Sequence, residues 1–415
     1  MTTKITEQNV SNLANVGVDW QSPITADGST VTTAVAGRGY FIDTTSAAHT
    51  INLPASTSVT IGDTISIVQI NGSNAVTIGR NGNKINGATD NGTLNSDGDA
   101  IEYVFVNATE GFKTVSSTVG PTFISATGGT VSNSGNFRIH TFTGDGNFVV
   151  SSLGNGPSVP TGGPNVCDYL VIAGGGGGGK DRAGGGGAGG YRESKCNTGA
   201  YTASPLATPT GITLTAATFP ITVGGGGTGG NTPPGAQNGG NGSNSVFSTI
   251  TSAGGGGGHT SNVTPYAANA GGSGGGGGGS VSGTAGAGNT PPVSPPQGNN
   301  GGAGQDGGNS RGAGGGGAGG AAANASTTPS SAPGGGNGTA SEITGSSVTR
   351  AGGGGGTGTS PATQGGGGPG GGGAGGNPTG TAGTANTGGG GGGSCQANGA
   401  TGGKGIVIIR YQYQG

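Results

Sequence analysis

The stretch DYLVIAGGGGGGKDRAGGGGAGGYR (Asp168–Arg192) decides the fold of the second half of the chain. It begins as an apolar run typical of a buried strand and continues into backbone with almost no side chains. A phosphate-binding loop requires G-x-x-x-x-G-K-[ST] between a strand and a helix. Gly174, Gly179 and Lys180 fit, but Asp181 stands where Ser or Thr would hold magnesium, and its carboxylate would repel phosphate. More glycine follows in place of a helix N-terminus, so the sequence predicts a glycine scaffold without nucleotide or cofactor.

Composition excludes several functional classes. The 415 residues are 7% charged and 4% aromatic, with a formal net charge of -2. A nucleic-acid-binding protein needs a basic face, and charge-rich disorder needs charged blocks, so neither class is expected. The cysteines and histidines lack metal-ligand or catalytic spacing, which predicts free thiols, no metal and no enzyme. These residues are Cys167, Cys196 and Cys395, and His49, His140 and His259.

Glycine divides the chain into regions. Residues 1–166 contain 22 of the 109 glycines, and the other 87 follow. We expect an N-terminal arm over 1–22, a β-rich module over 23–118, a β-strand connector over 119–165 and a glycine-rich domain over 166–415. The first residues lack the basic and apolar regions of a signal peptide, and no apolar run reaches membrane-spanning length. The sequence therefore predicts synthesis in a cytoplasm without classical secretion.

The β-rich module shows strand patterning throughout. Segments such as GYFIDTT, HTINLPA, DTISIVQI and IEYVFV alternate apolar and polar residues between Gly, Asn and Asp turns. Short strands at this spacing favour a small sandwich or barrel. NGSN and RNGN carry Asn-Gly steps that favour tight hairpins. Trp20, the only tryptophan, is either an anchor for the arm or an ordinary core residue.

The glycine-rich domain retains a few ordinary strands, CDYLVIA, ATFPITV, NSVFSTITSA and KGIVIIRYQY. We expect them to form a sheet base from which glycine-rich segments leave and return. Ten runs of four or more glycines are interrupted by small residues and proline rather than by charged residues. Backbone without Cβ atoms can pack closely and satisfy its own hydrogen bonds, as at the collagen axis. The expected fold is therefore mainly β, with packed polyglycine helices similar to polyproline II.

Two sets of segments resemble a known family. GRGYFIDTTSAAHTINLPAS, GDTISIVQINGSNAVTIGRNGNKINGATD and AIEYVFVNATEGFKTV resemble the β module of tail-fibre-like proteins of cyanobacterial phages. FRIHTFTGDGNFVV, CDYLVIAGGGGGG, NSVFSTITSAGGGGG and GGKGIVIIRY are similar to the glycine-rich domain that ends many of those proteins. The resemblance covers about residues 20 to 411 and carries no catalytic residues. It implies a virion appendage whose distal glycine-rich domain recognises the host.

That resemblance implies partners and a recognition surface. Fibre modules commonly trimerise, so we expect a homotrimer that joins other virion proteins through its N-terminal part. A surface built from backbone leaves recognition of a glycan or outer-membrane protein to the side chains between glycine runs. The candidate receptor-binding residues are Lys180, Asp181, Arg182, Tyr191, His259, Tyr266, Asp306 and Arg311.

Three other interpretations stay open from the sequence alone. A self-assembling extracellular filament would use glycine arrays to pack one chain against another. An ice-binding protein would present a flat polyglycine bundle. A glycan depolymerase is a weaker alternative, in which Asp97, Asp99 or Glu102 would act as acid and base, although a turn followed by a strand explains these residues without chemistry.

Overall fold

The computed structural model describes residues 18–72, 74–118, 123–154, 165–196, 201–231, 237–261, 263–279, 283–307, 310–326, 331–359 and 363–413. The chain divides into two compact units, Met1–Thr122 and Phe123–Gly415. Both units are built from strands, with one short 3-10 turn at Ser56–Ser58. The expected mainly β fold is confirmed. Across these described ranges, no helix has the length and apolar character needed to cross a membrane.

Ten strands form the described part of the first unit. They are β1 (Asp19–Trp20), β2 (Ile24–Thr25), β3 (Val31–Thr33), β4 (Arg38–Asp43), β5 (His49–Asn52), β6 (Thr64–Ile70), β7 (Val76–Gly79), β8 (Gly92–Leu94), β9 (Ala100–Asn107) and β10 (Gly111–Thr118). One sheet has the order β1-β4-β6-β9-β10, with β2 also paired to β4, and the other has the order β3-β5-β7-β8. Apolar side chains of both sheets form one core, so the unit is a β-sandwich.

From β3 to β7 the chain alternates between the two sheets. The strands of this stretch that pair with one another therefore run in parallel. Strands β4 and β6 are parallel, as are β5 and β7. The expected hairpin at NGSN is therefore wrong, because β6 and β7 lie in different sheets. Asn71 and Gly72 do adopt the positive φ values of a tight turn, 52° and 70°. The Asn-Gly step turns the chain, but the position of the next strand depends on core packing.

Fourteen strands form the regular part of the second unit. They are β11 (Ser125–Thr127), β12 (Thr130–Ser134), β13 (Phe137–Phe142), β14 (Gly146–Ser152), β15 (Val166–Ile172), β16 (Tyr191–Ser194), β17 (Ala207–Thr208), β18 (Ile212–Thr213), β19 (Thr218–Thr222), β20 (Ser245–Phe247), β21 (Ile250–Ser252), β22 (Thr339–Ser341), β23 (Val348–Arg350) and β24 (Ile406–Gln412). Strands β11-β14-β19-β20-β21 form one sheet and β12-β13-β24-β15-β16-β17 another, with β18 on β15. Strands β22 and β23 pair separately.

The last strand of the chain lies at the centre of the larger sheet. β24 pairs antiparallel with β13 on one side and β15 on the other, through the registers Ile409 to His140 and Ile409 to Tyr169. Apolar residues on one face of this sheet pack against the five-stranded sheet, and residues on its other face form a second core with β16 and the glycine-rich segments. The larger sheet of the base is thus complete only when β24, from the end of the unit, pairs with β13 and β15, from its beginning.

Parts of the expected arm and of the expected connector lie in strands of the two units. Residues 1–17 of the arm lie outside the described residues, and Asp19–Trp20 form β1, paired with β4. Residues 123–154 of the connector lie within the second unit, where Ile124, Phe142 and Phe148 belong to its core. Connector residues 119–122 and 155–164 lie outside the described residues.

Candidate functional site

The glycine-rich segments leave the sheet base and return to it. β15 ends at Ile172, residues 173–179 leave the sheet, Lys180–Arg182 turn, and residues 183–190 return to the start of β16. At about 3.1 Å per residue, a seven-residue excursion in this conformation extends about 22 Å from the sheet. The turn at Lys180–Arg182 therefore lies at what we call the far end of the array, opposite the strands.

The hydrogen bonds of residues 173–179 repeat with a period of three residues. Gly174 and Gly177 donate their N–H groups to Ser243 and Gly240, at 3.0 and 2.9 Å. The next residue in each turn, as in Gly175 and Gly178, bonds to a second neighbouring run, and Gly176 and Gly179 bond to a third. Carbonyls of the same run accept from three further runs. Residues 173–179 therefore have six neighbouring runs. Three accept their N–H groups and run antiparallel to them, namely 183–190, 238–243 and 399–403. Three donate N–H groups to their carbonyls and run parallel to them, namely 224–230, 253–259 and 388–394.

This arrangement is the packing expected for polyglycine helices. Three residues per turn send consecutive N–H groups in three directions, so every inner run is bonded to its surroundings on all sides. The close approach requires glycine, since a Cβ atom added at Gly176 would lie 2.2 Å from the carbonyl oxygen of Gly256. At Gly177 and Gly178 the same atom would meet carbonyl oxygens at 1.9 and 2.1 Å. The array is thus held by backbone hydrogen bonds, and these three glycine positions have no room for a side chain.

Side chains return on the outside of the array with the same period. In residues 222–230, Thr222, Gly225 and Thr228 are exposed, whereas Gly224, Gly227 and Gly230 are buried. A Cβ atom at Gly225 would meet nothing within 4 Å. In the outer run 380–387, Thr381 and Thr384 are likewise exposed at a spacing of three. Side chains as large as threonine are therefore found at outward positions, whereas the inward positions of residues 224–230 are glycine.

Lys180, Asp181 and Arg182 form the far-end turn of the first excursion. Asp181 and Arg182 have φ values of 60° and 52°, and their side chains pair at 3.1 Å. The hydrogen bond that Arg182 donates to Asp181 is the main reason that the pKa of Arg182 is raised, and the carboxylate of Asp306 contributes in the same direction. The structure therefore brings Asp306 into the electrostatic range of this turn.

His259 is also at the far end, but it is buried. Its carbonyl accepts the N–H of Gly184, next to the first turn. Its Nδ1 accepts the N–H of Gly278 at 3.2 Å, so Nε2 carries the proton that it donates to the carbonyl of Val263 at 3.0 Å. Burial lowers the pKa of His259. Tyr266 packs its ring edge-on against this imidazole and remains 48% exposed.

Asp306 and Arg311 occupy one far-end turn and have opposite exposure. Asp306 is exposed and accepts the N–H of Gly307 at 2.8 Å. Arg311 is 2% exposed, and its Nη1 donates to the carbonyl of Ser326 at 2.6 Å. The guanidinium of Arg311 therefore fastens one glycine-rich segment to another from inside the array.

Three of the eight candidate receptor-binding residues are therefore not surface residues. Tyr191 is 1% exposed and begins β16 at the sheet base, where its hydroxyl donates to Glu193 at 2.9 Å. His259 and Arg311 lie at the far end with buried side chains. Lys180, Asp181, Arg182, Tyr266 and Asp306 remain accessible, and the first three share a turn. The sequence showed which residues interrupt the glycine runs but not which of their side chains point inward.

Sequence reasoning missed a buried polar network in the base. Glu193 is 1% exposed, and its carboxylate accepts hydrogen bonds from Tyr191, from the N–H of Ser204 at 3.1 Å and from Ser341 at 2.5 Å. Arg350 lies near this carboxylate. Burial lowers the pKa of Arg350, and the nearby Glu193 opposes that shift. The available signal was the position of Glu193 directly after the glycine-rich return run, in a strand that must pack against the base.

A second polar group surrounds Asp168. Its Oδ1 accepts the N–H of Cys196 at 2.7 Å and the thiol at 3.1 Å, and Arg410 is its register partner on β24. The Arg410 guanidinium lies 4.8 Å from the ring centroid of Tyr201. Charged residues inside the near-continuous apolar runs CDYLVIA and GIVIIRYQY were the sequence signal for this pair. All three cysteines are free and buried. Cys167 belongs to the core between the two larger sheets, whereas Cys196 lies beside Asp168.

The described residues show no cluster of histidine, cysteine and carboxylate side chains that could hold a metal. Asp99 accepts the N–H groups of Asn95 and Ser96, both at 2.9 Å, and Asp97 accepts the N–H of Asn71 at 2.8 Å. These two carboxylates therefore stabilise turns. His140 is a buried residue of β13, with Nδ1 2.7 Å from the carbonyl of Gly128.

Comparison with known proteins agrees with this architecture. The glycine-rich domain family matches residues 151–412, which include the sheet base from β15 onward and the whole array. No curated protein matches the chain. Because the match extends over more than half of the sequence, the chain belongs to the glycine-rich domain family.

Proposed function

We propose that this protein is part of a phage particle appendage, a tail fibre or similar fibre, and that its glycine-rich unit presents far-end turns to the surface of a host cell. The first unit joins other virion proteins, and the chain assembles as a homotrimer. The resemblance of the strand modules to cyanobacterial phage fibre proteins supports the fibre assignment. The array has a hydrogen-bonded backbone in its interior and charged and aromatic side chains at its far-end turns, and this arrangement supports the binding role.

The observation that carries the binding role is the chemistry of the far end. The interior of the array offers a ligand only backbone that is already bonded to neighbouring runs. The accessible charges and aromatic ring at the far end belong to Lys180, Asp181, Arg182, Tyr266 and Asp306. They stand on an array that is bonded in all directions, so little conformational entropy is lost when they bind. Rigid scaffolds with functional loops are a common arrangement for recognition.

Cell adsorption by the full chain tests this role. The far-end variant combines Lys180→Gln, Arg182→Asn, Tyr266→Ser and Asp306→Asn, and Asn is chosen at position 182 because it tolerates a positive φ. The matched control exchanges Thr228, Thr384 and Thr401, exposed on the sides of the array, for alanine. We expect the far-end variant to lose cyanobacterial cell binding by about tenfold or more, as four contact side chains are removed. Unchanged adsorption, or equal loss in the control, would overturn the binding role.

The outer surface of the array bears on the filament alternative. Lateral growth of a polyglycine lattice requires glycine on the faces that meet, because a Cβ atom inside it would contact carbonyl oxygens near 2 Å. Thr228 and Thr384 are exposed on outer runs, where their side chains would meet an approaching run. These side chains oppose continued packing of chain upon chain, and light scattering of the purified protein should show trimers rather than fibrils.

A further inference from the structure

We propose that the first unit binds a sugar ring in a groove beside Trp20, on the outer face of its six-stranded sheet. This site is separate from the far-end turns and does not depend on their role. It uses a row of residues that are opposite one another across the strands: Trp20 on β1, Gly39 on β4, Ser66 on β6 and Glu102 on β9.

Gly39 allows the indole of Trp20 to lie against the sheet. A Cβ atom at Gly39 would be 2.4 Å from Cε3 of the indole, so any other residue would push the ring away. The ring also stacks on Phe41, with centroids 4.5 Å apart and planes at 20°. Held in this way, Trp20 is still 44% exposed. The result is a fixed aromatic surface that faces solvent.

The groove places polar atoms beside that surface. Its volume is about 210 Å³, and its lining is Trp20, Ser66, Ile67, Val68, Ala100, Ile101 and Glu102. Within the described part of the chain, neither the Ser66 hydroxyl nor the Glu102 carboxylate has a hydrogen-bond partner or ion pair. A single ring with hydroxyl groups fits both the space and the polar atoms.

A pyranose matches this combination of groups. Its axial C–H bonds form an apolar face that packs on an aromatic ring, and its equatorial hydroxyls donate to a carboxylate and exchange bonds with a serine hydroxyl. Hydrogen bonds to a charged acceptor are the stronger class, so Glu102 should contribute most of the orientation. A neutral sugar satisfies the carboxylate by donating hydroxyl hydrogens and requires no cation.

Contact with a second copy of the chain explains the groove less well. Such contact would bury Glu102, and an unpaired buried carboxylate is costly. The cations on the strands of this sheet are Arg38 and Lys113, and they already pair with Asp19 and Glu110 at 3.4 and 3.1 Å. The charge pattern therefore favours a hydroxylated ligand over a symmetric protein contact.

Fluorescence of the full chain tests the proposal, because Trp20 is the only tryptophan and lies in the groove. The probes are the methyl glycosides of glucose, galactose and mannose, and N-acetylglucosamine. We expect at least one to change Trp20 emission saturably, with an affinity of about 1 mM or tighter. Glu102→Gln should weaken binding about fivefold to tenfold, since it removes the charged acceptor. Thr93→Ala, an exposed change on the other sheet, is the control and should leave binding unaltered.

Gly39→Ala supplies the second variant. It should move the indole, shift the emission of the free protein and abolish sugar binding, while circular dichroism confirms that the strands remain. Absence of any response to the four probes in the folded parent protein would overturn the proposal. A shift of Trp20 emission on dilution, together with a fall in molecular mass, would also overturn it, because the groove would then be a contact between copies of the chain.

Discussion

Replacement of one inner glycine and one outer glycine by alanine should change stability in opposite directions. Gly176 lies in the run that is bonded to six neighbours, and its added Cβ would be 2.2 Å from the carbonyl oxygen of Gly256. Gly225 lies on an outer run of the same array, and its Cβ would meet nothing within 4 Å. Both substitutions add the same methyl group at backbone that lies outside the positive φ region. The difference between them therefore measures packing alone.

The expected cost at Gly176 follows from its surroundings. Ordinary contact begins at 3.4 Å, so the two runs must separate by more than 1 Å at this point. Overpacking of this kind costs about 1 to 3 kcal/mol. The bonds from Gly255 to Gly174 and from Gly258 to Gly177, at 2.9 and 2.8 Å, join the same two runs and would each lose about 1 kcal/mol. The expected loss is about 3 to 5 kcal/mol.

At Gly225, alanine reduces the conformational freedom of the unfolded chain without a clash. The expected gain is about 0.4 to 1 kcal/mol. Differential scanning calorimetry of the full chain measures both effects, and Trp20 fluorescence identifies the transition of the first unit, where the only tryptophan lies. The remaining transition should fall by roughly 10 °C in Gly176→Ala and rise slightly in Gly225→Ala. Equal shifts in the two variants, or no loss at Gly176, would refute the close-packed array.

Three further predictions concern buried groups. Burial lowers the pKa of His259 from its ordinary 6.5, so the folded state resists protonation; stability is complete above pH 6.5 and declines as pH falls below it, and His259→Gln should flatten the pH dependence of the melting temperature. Tyr191→Phe should destabilise the second unit by about 1 to 2 kcal/mol in urea unfolding, because Glu193 loses a buried donor, whereas a shift within error would contradict that role. Burial raises the pKa of the Cys167 and Cys196 thiols, so a thiol reagent should label neither of them in the native protein and both after unfolding; labelling of either before unfolding would show that the base opens.

Much of the fold was predictable from residue patterns. The run CDYLVIA followed by glycine predicted a strand that continues into an excursion, and β15 with residues 173–179 has that form. The final KGIVIIRYQY predicted a strand, and β24 is that strand. Both signals are local, because apolar periodicity and the absence of Cβ atoms act within a few residues. The sequence could not place β24 between β13 and β15, since that pairing joins residues about 270 and 240 positions apart.

The candidate site was predicted less completely for the same reason. Lys180–Arg182 interrupt two glycine runs and form a partly exposed turn, which the local pattern was enough to suggest. Arg311 interrupts glycine in a similar way, yet its side chain is buried against Ser326. Whether an interruption points outward depends on which of the neighbouring runs surround it. That information exists only once the runs are packed.

The sequence by itself determined that this chain is built mainly from strands and that its glycine runs form a scaffold. Those conclusions depend on which residues have Cβ atoms and how apolar residues alternate, both of which are local properties. The tertiary structure decided the order of strands, the six neighbours of the central run and the inward direction of Tyr191, His259 and Arg311. A threefold helix points successive residues in three directions, and only the position of its neighbours determines which direction is buried.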